Sequence, residues 1–424
     1  MSDLSLPDDA PARAIARRVV AARALRGFAD GFVSLLLPAH LLERGFSPFE
    51  IGVIATATLL GSGVLTLVVG LHGWRWRTRV LLLAACALMA ATGAGLAVLR
   101  DFWPLLLLAF VGTLNPSGGD VSVFVPIEHA LLARSVTARE RTAAFARYSV
   151  GGTLGAAIGS LAAVLPALAA PRLGVSLATA IQWMFGLYVL VALGVAALYR
   201  GLPLPDARAS AEERPAPLGP SRRRVFTLAA LFSLDAFGGG FVVQSMVALW
   251  LFERYHLSLA AAGTLFFWTG LLAAVSFLVA ARIAARIGLV RTMVFTHLPA
   301  NVCLLAIPFC DDVTVVMVLL FVRAALSQMD VPTRSSYVMA IVTPPERPAA
   351  ASVTAVPRSL AAAASPALAG WLLGLGTFGW PLVAGGVLKI VYDVLLLAMF
   401  HRIRPPEEGG AEPAPGLRGR PGRS

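Results

Sequence analysis

Long apolar runs separated by short polar connections dominate this chain, and arginines gather in those connections. Most runs reach or pass the roughly 20 residues a helix needs to cross a hydrocarbon layer about 30 Å thick. Lipid supplies no hydrogen-bond partners, so each run must satisfy its backbone internally, as a helix. The runs do not alternate apolar and polar residues over about ten positions, which disfavours a membrane β-barrel. The pattern predicts about twelve spans: 19–42, 49–71, 80–99, 104–133, 142–167 and 176–199, then 225–252, 258–281, 290–309, 313–342, 349–373 and 380–401.

Composition agrees. Hydrophobic residues make up 58% of the 424-residue chain and charged residues 14%, against about 25% charged in soluble domains. The net charge of +12 does not point to nucleic acid, because the arginines alternate in density from one connection to the next. Arg13, Arg17 and Arg18, then Arg75, Arg77 and Arg79, Arg134, Arg139 and Arg141, Arg222 to Arg224, Arg282, Arg286 and Arg291, and Arg347 fall on one side. The opposite side has only Arg44, Arg100, Arg172 and Arg254, with Asp311 and Asp312. By the positive-inside rule the arginine-rich side, with both termini, is expected in the cytoplasm. Lys389 is the only lysine, and the bias to arginine and alanine suggests a GC-rich bacterial genome, hence a bacterial inner membrane. Cys86, Cys303 and Cys310 have neither metal nor disulfide spacing. Residues 1–18 are too polar for a cleavable leader. The expected organisation is a cytoplasmic segment 1–18, a six-helix bundle 19–200, a Pro/Arg/Glu-rich linker 201–224, a second bundle 225–401 and a disordered tail 402–424.

The two bundles repeat each other. Glu43-Arg44 recurs as Glu253-Arg254 and Asp120-Val121 as Asp330-Val331, both about 210 positions on. Leu25 to Val33 matches Leu234 to Val242, which makes Asp235 the mate of Arg26, and Glu140-Arg141 matches Glu346-Arg347 after a short deletion. Two parallel six-helix halves joined by a linker resemble the major facilitator superfamily over nearly the whole chain. The loop Gly70-Leu71-His72-Gly73-Trp74-Arg75-Trp76-Arg77-Thr78-Arg79 resembles that superfamily's Gly-x-x-x-Asp-Arg-x-Gly-Arg-Arg motif, with Trp74 at the Asp position. The fifth span is similar to the antiporter pattern Gly-x-x-x-Gly-Pro-x-x-Gly-Gly through Gly151, Gly155 and Gly159, with Ala156 at the proline position and Ser160 at the last glycine. The resemblance implies an all-α membrane protein with two pseudo-symmetric six-helix bundles, spans 1, 4, 7 and 10 lining a central cavity.

Charged side chains at bilayer depth cost roughly 2.5–3.5 kcal/mol each on insertion scales, so each needs a partner or a wet cavity. Most fall in those same four spans. Span 1 has Arg26 and Asp30, one turn apart: a protonation or ligand site, or a structural pair. Span 4 has Pro116, Gly118, Gly119 and Asp120, where the helix should break beside a cavity or else kink for packing. Glu128 follows, as a proton relay or a salt bridge to a loop arginine such as Arg134. Span 7 offers Asp235 and Gln244, with Asp235 pairing to Arg26 across the halves as a gate. Span 10 has Asp330 and Arg334 around Pro332, a second expected break. In span 12, Lys389 and Asp393 suggest a structural i,i+4 pair. The small-residue stripe Gly151, Gly155 and Gly159 suggests close helix packing.

There is no phosphate-binding loop and no zinc spacing, so no cofactor, metal or enzymatic activity is expected. The expected function is secondary active transport by alternating access. Protons are the expected coupling ion, with Asp30, Asp120 and Asp330 as carriers and Arg26 and Arg334 as counter-ions. The cargo is a small organic molecule, exported; uptake of an organic anion is the second reading, and a non-transporting receptor or assembly factor the third. Lipid is the expected surroundings, and the protein a monomer.

Overall fold

A computed structural model describes residues 9–72, 75–115, 122–136, 141–203, 218–343 and 346–400. The predicted tail and most of the linker lie outside them, as do Pro116, Gly118, Gly119 and Asp120. The described residues are helical almost throughout, with no strand among them. The first half comprises α1 (Asp9–Glu43), α2 (Pro48–His72), α3 (Thr78–Val98), α4 (Phe102–Val111), α5 (Phe124–Arg134), α6 (Arg141–Ala162), α7 (Leu165–Leu173) and α8 (Leu177–Arg200). The second comprises α9 (Arg222–Gly240), α10 (Gln244–Tyr255), α11 (Leu259–Ile287), α12 (Leu289–Ala306), α13 (Val313–Ser327), α14 (Asp330–Ala340), α15 (Arg347–Gly374) and α16 (Trp380–Phe400). Among the described residues, eight helices are long and apolar enough to cross a membrane.

Three spans are each built from a pair of shorter helices. Span 4 is α4 and α5; α4 ends at Val111 and the backbone turns extended at Gly112. Span 7 is α9 and α10; the helix gives out after Gly238-Gly239-Gly240, where backbone entropy opposes it. Span 10 is α13 and α14. Its break falls at Gln328-Met329 and not at Pro332, as the sequence suggested. Pro332 lies in the first turn of α14, where the proline nitrogen has no intrahelical acceptor to lose. Span 1 also begins earlier than expected, at Asp9.

Within the first half, α1 and α6 cross at backbone contact. A methyl group added at Gly27 or Gly31 would land on the carbonyl of Gly152 or Ala156, and one at Gly155 or Gly159 on that of Ala24 or Phe28. Small residues four apart allow this approach.

The halves meet at a seam toward the arginine-poor side. Gly52 near the start of α2 and Gly370 near the end of α15 sit Cα to Cα, and a methyl group on either would strike the opposing backbone at Pro366 or Pro48. Pro366 has no N–H of its own to continue the helical ladder, and next to it the N–H of Ala367 donates to Thr56 Oγ1 across the seam at 2.9 Å. A second strand of the seam joins α6 to α11, where Gly263 faces the Ser160 carbonyl and Gly270 faces Ala157. Toward the arginine-rich side, α5 packs on α1, α2, α3 and α6, and α14 on α11, α12 and α15, each within its own half. There Glu346 clamps the end of the linker. It accepts from Thr343 Oγ1 at 2.7 Å, Ser221 Oγ at 2.8 Å and the Gly219 N–H at 2.5 Å.

Candidate functional site

Among the described residues, most of the buried charges fall into two clusters, one in each half. In the first, Arg26 on α1 forms an ion pair with Glu128 on α5. Tyr148 on α6 donates to Glu128 Oε2 at 2.6 Å, and Tyr199 on α8 donates to Oε1 at 2.5 Å. Glu128 is fully buried. Its three donors come from three other helices, as the cost of a buried carboxylate demands. The Arg26 guanidinium lies over the Phe124 ring, 4.2 Å from its centroid, and that ring stacks on Tyr199. Arg23 stands over Tyr148 at 5.6 Å. Asp30, also buried, follows one turn beyond Arg26.

In the second cluster Asp235 on α9 is the hub. Lys389 Nζ on α16 donates to its Oδ1 at 2.7 Å, and Arg334 on α14 donates to its Oδ2 at 3.0 Å. Arg334 also pairs with Asp330, one turn earlier at the start of α14. The N-terminal end of a helix favours that carboxylate. His297 on α12 reaches Asp235 Oδ1 with Nε2 at 3.8 Å and Asp393 on α16 with Nδ1 at 2.9 Å. Asn301 donates to Asp393 Oδ2 at 2.8 Å.

Three expected pairings are therefore replaced. Arg26 and Asp235 do not pair across the halves; each forms an ion pair inside its own. Glu128 takes Arg26, not a loop arginine. Lys389 and Asp393 do not bond each other, because each reaches a partner on another helix. Gln244 belongs to neither cluster: it sits on the seam and donates to Ser160 Oγ at 3.1 Å. The pairings nonetheless obey the internal repeat. Counted back from Glu140-Arg141 and Glu346-Arg347, Glu128 and Arg334 hold the same position. Arg26 with Glu128 and Asp235 with Arg334 are thus one ion pair drawn twice, with its signs exchanged.

Tyr148, Tyr199, His297 and Asn301 were not singled out in the sequence. The last two carried a signal, a histidine and an asparagine one turn apart inside an apolar span. The tyrosines carried none, since aromatic residues are common in spans.

The family model described as Major Facilitator Superfamily matches residues 19–327 and 246–421. The uncharacterized membrane protein YJR124C of Saccharomyces cerevisiae is 24% identical over 411 residues, covering 89% of this chain and 92% of its own. A bacterial homolog of the human lysosomal transporter Spinster, solved inward-facing and unoccupied, has a TM-score of 0.68 at 14% identity, covering 92% of this chain and 96% of its own. The nucleoside transporter NupG has a TM-score of 0.69 at 11% identity, covering 91% and 99%. The human organic anion transporter MFSD10 has a TM-score of 0.66 at 19% identity, covering 91% and 99%.

Proposed function

Because the chain belongs to the Major Facilitator Superfamily and is an integral membrane transporter, we propose that it is a secondary active carrier that exports a small organic molecule in exchange for protons. The two halves rock about a central site, with both termini in the cytoplasm of a bacterial cell. The observation that carries this reading is the placement of the contacts: the seam lies toward the arginine-poor side, while α5 and α14 pack within their own halves. That is the arrangement of a carrier closed on one face and ready to part on the other. Broken spans 4, 7 and 10 support it, since irregular backbone at bilayer depth belongs beside a cavity.

In this reading Arg26, Asp30, Asp120, Asp330 and Arg334 border the substrate route, and Glu128 and Asp235 hold the arginines in position. Uptake of an organic anion is the second reading. It is favoured by Arg334, whose Nε and Nη1 are buried without a hydrogen-bond partner, and MFSD10 carries organic anions by its description.

Thermal-stabilisation screening of the purified protein identifies a ligand, and proteoliposomes under an imposed pH gradient then test transport. Export driven by inward proton flow is expected, impaired in Asp30→Asn, Asp120→Asn and Asp330→Asn. Normal transport by all three variants would remove the site assignment. Transport indifferent to the gradient would remove the coupling.

A further inference from the structure

The buried carboxylates differ in what protonating them would disturb. Glu128, Asp235 and Asp330 each touch a guanidinium or ammonium group, so a proton added there must displace an ion pair. Asp393 is fully buried, and the partners it bonds are His297 and Asn301, neither of which carries a fixed charge. We propose that the His297–Asp393 pair, on α12 and α16 and away from the four spans first expected to carry the chemistry, is a proton-binding site of this protein.

The geometry defines the step. With the ring neutral and Asp393 ionised, the 2.9 Å contact holds the ring proton on Nδ1. Nε2 then turns a lone pair toward Asp235 Oδ1, 3.8 Å away. One proton taken up at Nε2 forms an N–H bond, breaks none, and brings the net charge of the pair from −1 to zero. The Asn301 amide nitrogen is also 3.1 Å from Nδ1. The same proton can therefore be held as an imidazolium beside a carboxylate, or as a protonated Asp393 donating to a neutral ring. The pair, not either residue, is the titrating unit.

The charged and titratable groups around it are Asp235 from α9, Asp330 and Arg334 from α14, and Lys389 and Tyr392 from α16. Arg323 from α13 acts electrostatically on Asp235 and on Cys303 of α12 itself. Uptake has a consequence beyond the pair. His297 Nε2 and Lys389 Nζ address the same oxygen of Asp235, while Arg334 holds the other. A loaded His297 is a rival cation for Lys389, and Asp235 passes that competition on to Arg334 in span 10. The role of the site in transport rests on the proton-coupled reading above; its ability to bind a proton does not.

The test compares wild type, His297→Gln, Asp393→Asn and the double variant, each purified in nanodiscs. Proton uptake is measured between about pH 8 and about pH 5, the range in which histidines titrate. The double variant should take up about one proton fewer per molecule, and each single variant, which keeps one of the two groups able to hold the proton, should shift the uptake midpoint. Unchanged uptake in the double variant, or an unmoved midpoint in both singles, overturns the proposal. Asn301→Ala keeps both titrating groups and removes a donor to the ionised carboxylate, so it should move the uptake midpoint to higher pH; no movement counts equally against the site. Gradient-driven transport separates this inference from the wider reading. If the pair titrates while transport ignores the gradient, the coupling falls and the proton site stands. If coupling persists unchanged in both single variants, the role of the pair in transport falls, and proton uptake alone decides the site.

Discussion

Replacing Glu128 by glutamine removes one charge from the centre of the first half and leaves its shape almost intact. Arg26 is 2% exposed and its ion-pair partner is fully buried, so the substitution takes away the carboxylate that the guanidinium bonds. Removing one member of a buried ion pair costs about 3–5 kcal/mol. Removing a single hydrogen bond between membrane helices costs far less, about 0.6 kcal/mol on average and about 1.7 at most. The tyrosine bonds to Glu128 supply the internal comparison: Tyr148→Phe and Tyr199→Phe each delete one donor and leave the ion pair in place. Unfolding in bicelles by steric trapping should therefore rank Glu128→Gln well below either tyrosine variant, by about 1–4 kcal/mol. The double variant Arg26→Met with Glu128→Leu should recover much of the loss, because neither member of the pair is left without the other. If Glu128→Gln costs no more than Tyr148→Phe, or if the double variant is no better than the single, the cluster is not held by charge matching and the account of it fails.

Two further predictions concern the seam and the linker. Gly52→Ala places a methyl group on the Pro366 carbonyl, with backbone on both sides and nothing flexible to yield. The overpacking, about 1–3 kcal/mol, should push the halves apart there and speed maleimide labelling of a cysteine introduced on the arginine-poor side. Gly186→Ala, where a Cβ meets open space, is the control, and equal labelling in the two would dismiss the seam. At the linker, hydrogen bonds from Thr343, from Ser221 and from the Gly219 N–H hold the Glu346 carboxyl at about 2, below its ordinary 4.5. A depressed value means the clamp contributes fully above 4.5 and is lost only as pH falls through about 2. Hydrogen-exchange protection at 218–221 should persist at about pH 4 and be absent at neutral pH in Glu346→Gln; protection lost by pH 4 in the wild type would contradict it.

Much of this architecture was legible in the sequence. The bilayer forces long apolar runs, and those runs are helices in the described residues. What spacing could not give was the partner of each charge. The i,i+4 rule pointed Lys389 at Asp393 and gave no hint of Glu128 as a partner of Arg26, because it sees only neighbours on an isolated helix. In a bundle the competing partners lie on other helices. Arg26 reaches a carboxylate 102 positions away, and Lys389 one 154 positions away. The rule held for Asp330 and Arg334, where the carboxylate sits at the start of its helix. The break in span 10 was misplaced for a related reason: a proline opens a helix as readily as it ends one.

The exchanged signs of the two mirror ion pairs leave each half electrically matched within itself. The described contacts that join the halves, glycine against backbone and the hydrogen bonds from Ala367 and Gln244, are short in range and carry no net charge. Such a junction lets go within a fraction of an ångström and is indifferent to ionic strength. In the reading of a rocking carrier, what parting has to overcome at this seam is close packing and these few hydrogen bonds rather than attraction between opposite charges.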